Sequence, residues 1–470
     1  MSASAELVLR HDRGTLVVDG LESLAEAVRE AVVARLTPLG FLPDARIGMR
    51  LRGPGRAYRA ALVALVKGGT PPRDEARAYL ELALSSRRVR EPHPHQAEAL
   101  DAWLRAGKRG VVVLPTGAGK SYLAELAIAE CGRSTLVVAP TIDLMNQWVG
   151  LLATAFGSDL VGALGGGYSD VRALTVTTYD SAHIHLERLA DRFGLVVFDE
   201  CHHLPSPAYS QTAEGMIAPF RLGLTATPER PDGSDQRLTD LVGPTVYRKD
   251  IQDLRGLYLA SYETNRIRVE LSPDERQAHD EARVRYRSFV ERHRIAMSSP
   301  QGWGQFLQLA ARNQEGREAL LAWREQRRIA LQSKAKLEVL ESLLHLHQSD
   351  PLIVFTADNE TVHRISRTWL LPALTHETPG PERKAILDAF GKGEIRAVVT
   401  ARVLNEGVDL PNARVGIVLS GSATVREHVQ RLGRLLRKQA DKNAILYEVV
   451  TGDTSEEQVS DRRRDHGAYR

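Results

Sequence analysis

The segment Leu114-Pro-Thr-Gly-Ala-Gly-Lys-Ser121 constrains this chain more than any other. It follows the apolar run Val111-Val-Val-Leu114 and leads into a helical stretch from Tyr122 to Glu130, so it reads as strand, glycine loop, helix. Such a loop turns its backbone N–H groups inward around an anion, with the positive end of the helix behind them. Pro115, Thr116, Gly117, Ala118 and Gly119 form the cradle, Lys120 reaches the β- and γ-phosphates, and Ser121 offers a hydroxyl to Mg²⁺. Leu114 stands where the strict G-x-x-x-x-G-K pattern has its first glycine. ATP and Mg²⁺ are the expected ligands, and a parallel α/β sheet with this loop at the C-terminal ends of its strands is the expected frame.

The surrounding pattern fits that frame. Strand-like runs at 111–114, 135–139, 174–177, 195–198 and 222–224 alternate with helical stretches, as a parallel sheet with crossover helices requires. A second set lies at 352–355, 397–399, 415–419 and 444–447. The fold class is therefore α/β with two tandem parallel-sheet domains, at 89–245 and 246–470. A small N-terminal α+β domain at 1–88 precedes them. Its signs are a hairpin over residues 6–20, apolar residues at helical spacing from Leu21 to Leu36, and a strand from Ile47 to Leu51. The Arg-rich stretch from Ser85 to Pro94 reads as a linker.

Asp199-Glu200 ends the run Leu195–Phe198, which puts two carboxylates at a strand end beside the phosphate loop. Asp199 is the expected Mg²⁺ ligand and Glu200 the group that polarises the attacking water. Cys201, His202 and His203 follow directly, but three consecutive residues cannot converge on one tetrahedral zinc ion without further ligands. Far downstream, Gln430, Arg431, Arg434 and Arg437 recur at helical spacing. An arginine from a second domain reaches the γ-phosphate only when the domains close, and that contact is worth roughly 10³ to 10⁵ in rate in phosphoryl-transfer enzymes.

Residues 273 to 338 read as a helical insertion broken near Ser298–Gly302. Arg283, Arg287 and Arg294 fall at helical spacing among Tyr286, Phe289, Trp303 and Phe306. Two readings stand side by side: exposed arginines and aromatics gripping a nucleic-acid backbone, or aromatics facing the insertion's own core with the arginines paired to Glu281, Glu291 and their neighbours.

Composition narrows the classes without choosing among them. With 470 residues the chain is too long for a single core, and its net charge of +3 demands local rather than global contact with nucleic acid. Two cysteines, Cys131 and Cys201, exclude a disulfide framework and fit a reducing cytoplasm. There is no secretory signal pattern and no apolar run of about 18 residues, so no membrane association is expected.

In order, the phosphate loop, Ala139-Pro-Thr141, Asp199-Glu-Cys-His202, Thr225-Ala-Thr227, Asn405-Glu-Gly-Val-Asp409 and Gln430–Arg437 resemble the motor motifs of superfamily-2 helicases. More closely, the chain resembles the compact archaeal and bacterial XPB helicases over nearly its whole length. The residues carrying that likeness are Asp12–Gly20, Thr178-Tyr-Asp-Ser-Ala182, Ile217–Thr227 and Ser333-Lys-Ala-Lys336. The resemblance implies two RecA-like domains, a damage-recognition-like N-terminal domain and a thumb-like insertion. It further implies a DNA-dependent ATPase that unwinds or translocates 3′ to 5′ in nucleotide excision repair. DNA junctions or damaged duplex would be its substrate, and a repair nuclease a partner.

By position, Gln96 matches the adenine-reading glutamine, Gly407 and Asp409 the second-domain nucleotide contacts, and Arg434 and Arg437 the arginine fingers. Thr225, Thr227 and Gln430 match coupling residues, and Thr141, Thr178, Arg230 and Asp232 match DNA contacts. Two departures stand out. Pro92-His-Pro-His95 precedes Gln96 where the family has an arginine and a tyrosine, which bears on adenine selectivity. The family's Arg-Glu-Asp is Arg230-Pro231-Asp232 here, which bears on strand separation more than on hydrolysis. The motor motifs alone also fit an RNA helicase, or an ATP-switched DNA-binding module that presents DNA to a nuclease.

Overall fold

The computed structural model describes residues 6–44, 49–88, 90–229, 233–254, 256, 258, 261–299, 301–401, 413–420 and 443–464. The chain divides into two compact units: Met1–Pro115 with Gly119–Lys249, and Asp250–Arg470 with Thr116–Ala118.

The first unit opens with a five-stranded sheet of β1 (Val8–Asp12), β2 (Thr15–Asp19), β3 (Leu42–Pro43), β4 (Leu51–Pro54) and β5 (Arg73–Glu75), in the order β3-β4-β2-β1-β5. Arg13 and Gly14, with φ of 48° and 79°, make the left-handed two-residue turn that suits the twist of the β1–β2 hairpin. Helices Glu26–Leu36 and Tyr58–Lys67 bury Val32, Leu36, Ala61 and Leu65 with Leu9, Leu16 and Val18 in one core. β4 begins at Leu51 rather than Ile47: Met49 and Arg50 are not in a strand, and residues 45–48 lie outside the described residues. The module packs tightly against residues 215–217. Ile217 completes its core, and a Cβ on Gly55 would lie 2.0 Å from the Gly215 carbonyl oxygen.

The stretch expected as a linker is strapped down. Ser86 and Arg88 both bind the fully buried Glu125 carboxylate, the Arg87 N–H donates to the Ala155 carbonyl at 2.7 Å, and the Arg90 guanidinium lies 5.1 Å from the centre of the Tyr122 ring.

Next comes an eight-stranded sheet of β6 (Arg109–Val113), β7 (Thr135–Ala139), β8 (Val161–Gly165), β9 (Tyr168–Ser169), β10 (Leu174–Thr178), β11 (Leu195–Asp199), β12 (Phe220–Thr225) and β13 (Thr245–Arg248). Its order is β13-β6-β12-β11-β7-β10-β8-β9, parallel throughout except for the β8–β9 pair. Parallel pairing places the ends of β6, β12, β11, β7 and β10 along one edge, in that order. On β12 the fully buried Arg221 guanidinium donates to the carbonyls of Ala213, Met216, Ala218 and Leu241. It thereby satisfies chain ends that close helices Pro207–Gly215 and Arg237–Leu241.

The second unit holds a six-stranded, wholly parallel sheet: β14 (Ser261–Val269), β15 (Leu352–Phe355), β16 (Ala373–Leu374), β17 (Ala397–Thr400), β18 (Val415–Val418) and β19 (Asn443–Thr451), in the order β14-β19-β18-β15-β17-β16. Among the described residues four helices separate β14 from β15. Helices Pro273–Arg292, Gly302–Ala310 and Gln314–Leu331 close around Phe289, Ile295, Phe306, Ala310 and Ala319. The fourth, Lys334–Leu346, instead buries Leu340 and Leu343 in the sheet's core with Val354, Ile365 and Ile417. No helix among the described residues is long and apolar enough to cross a membrane.

Candidate nucleotide-hydrolysis site

β6 is buried from Gly110 onward and ends where the Leu114 N–H donates to the Thr225 carbonyl at 3.0 Å. Gly117 and Gly119 then take φ of 88° and 82°, a backbone open to glycine and strained for other residues. A Cβ on Gly119 would also stand 2.2 Å from Gln96 Nε2 and push that side chain's tip away from the loop. Gly119 caps helix Lys120–Cys131 without a side-chain partner; the Tyr122 and Leu123 N–H groups donate to its carbonyl at 3.0 and 3.1 Å, and those of Lys120 and Ser121 are left for the loop's ligand. Lys120 Nζ donates to the Leu114 carbonyl at 3.2 Å and stands 3.7 Å from Glu200 Oε1.

Asp199 ends β11 under heavy constraint. Trp148 Nε1 donates to its Oδ2 at 2.8 Å, the Glu200 N–H to its Oδ1 at 3.0 Å, and the Tyr179 hydroxyl to its carbonyl at 2.9 Å. Burial, with the Glu200 charge second, pushes the Asp199 carboxyl up to about 6 against the pull of Trp148 and Lys120. Glu200 itself holds a left-handed φ of 47°, strain of a kind that persists where surrounding structure enforces it.

Beyond Glu200 the contacts reach β12. Its Oε2 lies 3.5 Å from the Thr225 hydroxyl and 3.4 Å from His202 Nδ1, while His202 Nδ1 is 3.0 Å from the same hydroxyl. Thr225 Oγ1 is also 3.2 Å from the Thr227 carbonyl and accepts from the Thr227 N–H at 3.2 Å. A threonine hydroxyl has one proton to give. Thr225 can serve Glu200 or Thr227, not both. The sequence shows His202 as a zinc candidate and as the last residue of the Asp199-Glu-Cys-His202 segment without giving it a role, and the signal that marks its place here is its position two residues after Glu200.

The other expected site residues fall in different places. Gln96 is buried: its Oε1 accepts from the His93 N–H at 3.0 Å and its Nε2 donates to the Gly119 carbonyl at 3.4 Å, so it ties helix Pro94–Arg105 to the phosphate loop. Thr141 and Thr178 follow β7 and end β10, where their hydroxyls cap helices Ile142–Phe156 and Tyr179–Ile184. Arg283 is half-buried and Arg287 exposed on helix Pro273–Arg292, but Arg294 lies past its end with a φ of 51°. Arg294 is therefore not on that helix, contrary to its spacing. Tyr286, Phe289 and Phe306 pack inward, so of the two readings of these aromatics the core one holds for them; Trp303 is partly exposed against Trp323, with ring centres 4.5 Å apart. The arginines are not taken up by Glu281 or Glu291 among the described residues. Arg230, Asp232, Gly407, Asp409, Gln430, Arg434 and Arg437 lie outside the described residues.

Over 419 residues the chain is 41% identical to the DNA 3'-5' translocase XPB2 of Sulfurisphaera tokodaii, an alignment covering 83% of this chain and 95% of that one. This chain belongs to the XPB helicase family. The DNA 3'-5' helicase XPB of Kineococcus radiotolerans is 31% identical over 98% of this chain and 79% of its own. Residues 318–467 match the ERCC3/RAD25/XPB C-terminal helicase family, and residues 90–230 match the family described as type III restriction enzyme, res subunit. Among solved structures, the Pyrococcus furiosus Hef helicase domain superposes with a TM-score of 0.54 at 20% identity, covering 79% of this chain and 98% of that one. Saccharomyces cerevisiae Dbp5, bound to RNA and ADP BeF3, gives 0.56 at 14% identity, over 81% and 89%. These likenesses establish the RecA-like fold of the parallel-sheet domains.

Within this XPB-family chain, Ser333-Lys-Ala-Lys336 has a structural explanation. Lys336 is almost wholly buried, with Nζ 2.7 Å from each oxygen of Glu456 and bonded to the Leu419 carbonyl. Glu456 Oε2 in turn accepts from the Thr451 N–H at 3.1 Å. The motif pins helix Lys334–Leu346 to the end of β19.

Proposed function

We propose that this chain is an ATP-dependent DNA motor that unwinds or translocates 3′ to 5′ in DNA repair. The observation that carries the reading is the continuous set of contacts from Lys120 through Glu200 and His202 to Thr225 and Thr227, spanning three adjacent strand ends. In this reading Lys120 and the loop N–H groups bind the β- and γ-phosphates of ATP, and Glu200 orients the attacking water and takes its proton. The donor set fits a hard divalent cation: two adjacent carboxyl groups, one of them buried and raised to about 6 beside the other's charge, and the Ser121 hydroxyl. Mg²⁺ held by Ser121 and Asp199 would neutralise charge developing between the β- and γ-phosphates.

Gln96 is assigned to the adenine, and Arg434 and Arg437 to the γ-phosphate on domain closure, with Gly407 and Asp409 as second-domain contacts and Gln430 with the coupling residues. Thr141 and Thr178, each at a helix N-terminus on the edge that carries the phosphate loop, are assigned to DNA phosphates, with Arg230 and Asp232 nearer the fork and Arg283, Arg287 and Arg294 contacting backbone from the insertion. The N-terminal module is assigned to distorted or damaged duplex, and the cytoplasm is the expected setting. A second reading is translocation without strand separation, which Pro231 in place of the family's glutamate favours.

ATPase rates without nucleic acid, with single-stranded DNA, with duplex DNA and with RNA test the assignment. Stimulation by DNA well above that by RNA is expected. Equal stimulation by RNA would replace the DNA motor with an RNA helicase, and a strand-displacement assay on a tailed duplex separates unwinding from translocation.

A further inference from the structure

A cleft of about 560 Å³ lies between the N-terminal module and the first parallel sheet. One wall is the turn Thr37–Gly40 with the start of helix Tyr58–Lys67. The other is Arg109 at the start of β6 with Gly243-Pro244 ahead of β13. The phosphate loop follows the opposite end of β6, so the two sites are separated by the length of that strand.

The cleft is lined by two guanidiniums, Arg56 and Arg109. Among the described residues neither has a carboxylate within ion-pair distance, and Arg109 donates only to the Val242 carbonyl, at 3.4 Å. Asp240 also lines the cleft but is exposed and pairs with neither. Burial, with the charges of Arg59 and Arg56, pushes the Arg109 guanidinium down to about 10. Two positive charges are thus gathered against one exposed carboxylate that pairs with neither.

Half-buried cations that lack partners are costly unless an anion joins them. Guanidinium forks match phosphate oxygens in pairs, and the volume falls within the roughly 300 to 1,000 Å³ of small-molecule sites. We propose that this cleft binds a phosphate-bearing ligand, gripped by Arg56 and Arg109 and separate from the nucleotide site. The phosphate comes either from a free polyphosphate-like molecule or from a nucleic-acid backbone laid across the cleft. Either ligand braces the N-terminal module against the first parallel sheet, because each wall supplies one arginine.

The test is calorimetric titration of the full chain with tripolyphosphate while a non-hydrolysable ATP analogue saturates the nucleotide site, beside duplex DNA titrations across a salt series. Wild type is expected to bind one tripolyphosphate, Arg56→Ala to bind at least tenfold more weakly, and Arg56→Lys to fall between. Weak tripolyphosphate binding together with a duplex salt slope reduced by about one unit in Arg56→Ala supports the same site with backbone as the source. Melts accompany each variant, and Arg56→Gln replaces Arg56→Ala if the latter melts early. Unchanged tripolyphosphate and duplex binding in a folded Arg56 variant overturns the proposal.

Discussion

Lys120 Nζ stands 3.7 Å from Glu200 Oε1, each side chain about nine-tenths buried, so the phosphate loop and the end of β11 share one ion pair. A lysine so placed exchanges this partner for phosphate without moving far. Lys120→Ala should weaken nucleotide binding itself. Glu200→Gln keeps the side chain's size but removes the base, so it should bind a fluorescent ATP analogue normally and lose at least about 100-fold in turnover. Near-normal turnover in Glu200→Gln would refute the assignment.

His202 and Glu200 both lie within reach of the single Thr225 hydroxyl proton, which Thr227 also competes for. That competition gives the site two arrangements, one directed at the water-orienting carboxylate and one at the segment after β12. His202→Ala should therefore leave unstimulated ATPase within a few-fold of wild type and abolish most of its increase on adding DNA. The informative quantity is the ratio of stimulated to basal rate. If His202→Ala lowers both rates equally, the histidine serves hydrolysis and not coupling.

Lys336 and Glu456 form a buried ion pair in the second unit, with little solvent to rescue a lone partner. Breaking such a pair from one side costs about 3 to 5 kcal/mol, whereas replacing both members by groups of similar shape is often nearly neutral. Lys336→Met should thus melt markedly earlier, and Lys336→Met with Glu456→Gln should recover much of the loss. Denaturant titration of the two variants decides it: a double variant no better than the single would show that Lys336 acts through the Leu419 carbonyl instead.

How far the sequence could be read depended on whether a signal was local. The phosphate loop and the run ending at Asp199 announce themselves because glycine pattern and β-branched residues sit side by side in the chain, and the central parallel strands are apolar on both faces. β13 and β14 escaped because they are edge strands: Ser-Tyr-Glu-Thr-Asn-Arg-Ile-Arg-Val holds only three apolar residues, Tyr262, Ile267 and Val269, with four polar ones in a row between the first two, and only Tyr262 and Val269 are buried. β8 is diluted by Gly162 and Gly165. Within the site, Trp148 reaches Asp199 across 51 positions, a partnership no spacing rule contains. Period alone also could not say that helix Gln314–Leu331 would cover Phe289 and Phe306, or that the chain would leave its helix at Arg292 and hold Arg294 in a left-handed turn.

The arginines of the insertion differ in how they are partnered. Arg283, Arg287 and Arg294 form no ion pair with any carboxylate among the described residues, while Arg292 beside them pairs with Glu315. Cations that bind no neighbour are free to neutralise phosphate, and each one that does so steepens the salt dependence of duplex binding by about 0.9. Replacing all three with Ala should weaken DNA binding and flatten that slope by up to about 2.7. The thermal melt should hardly change, because the core around Phe289, Ile295 and Phe306 is untouched. As a control, Arg292→Ala removes a pair that is already satisfied and should move the slope much less. An unchanged slope in the triple variant would take the insertion out of DNA binding, and an unchanged slope with an earlier melt would show that these arginines support its packing instead.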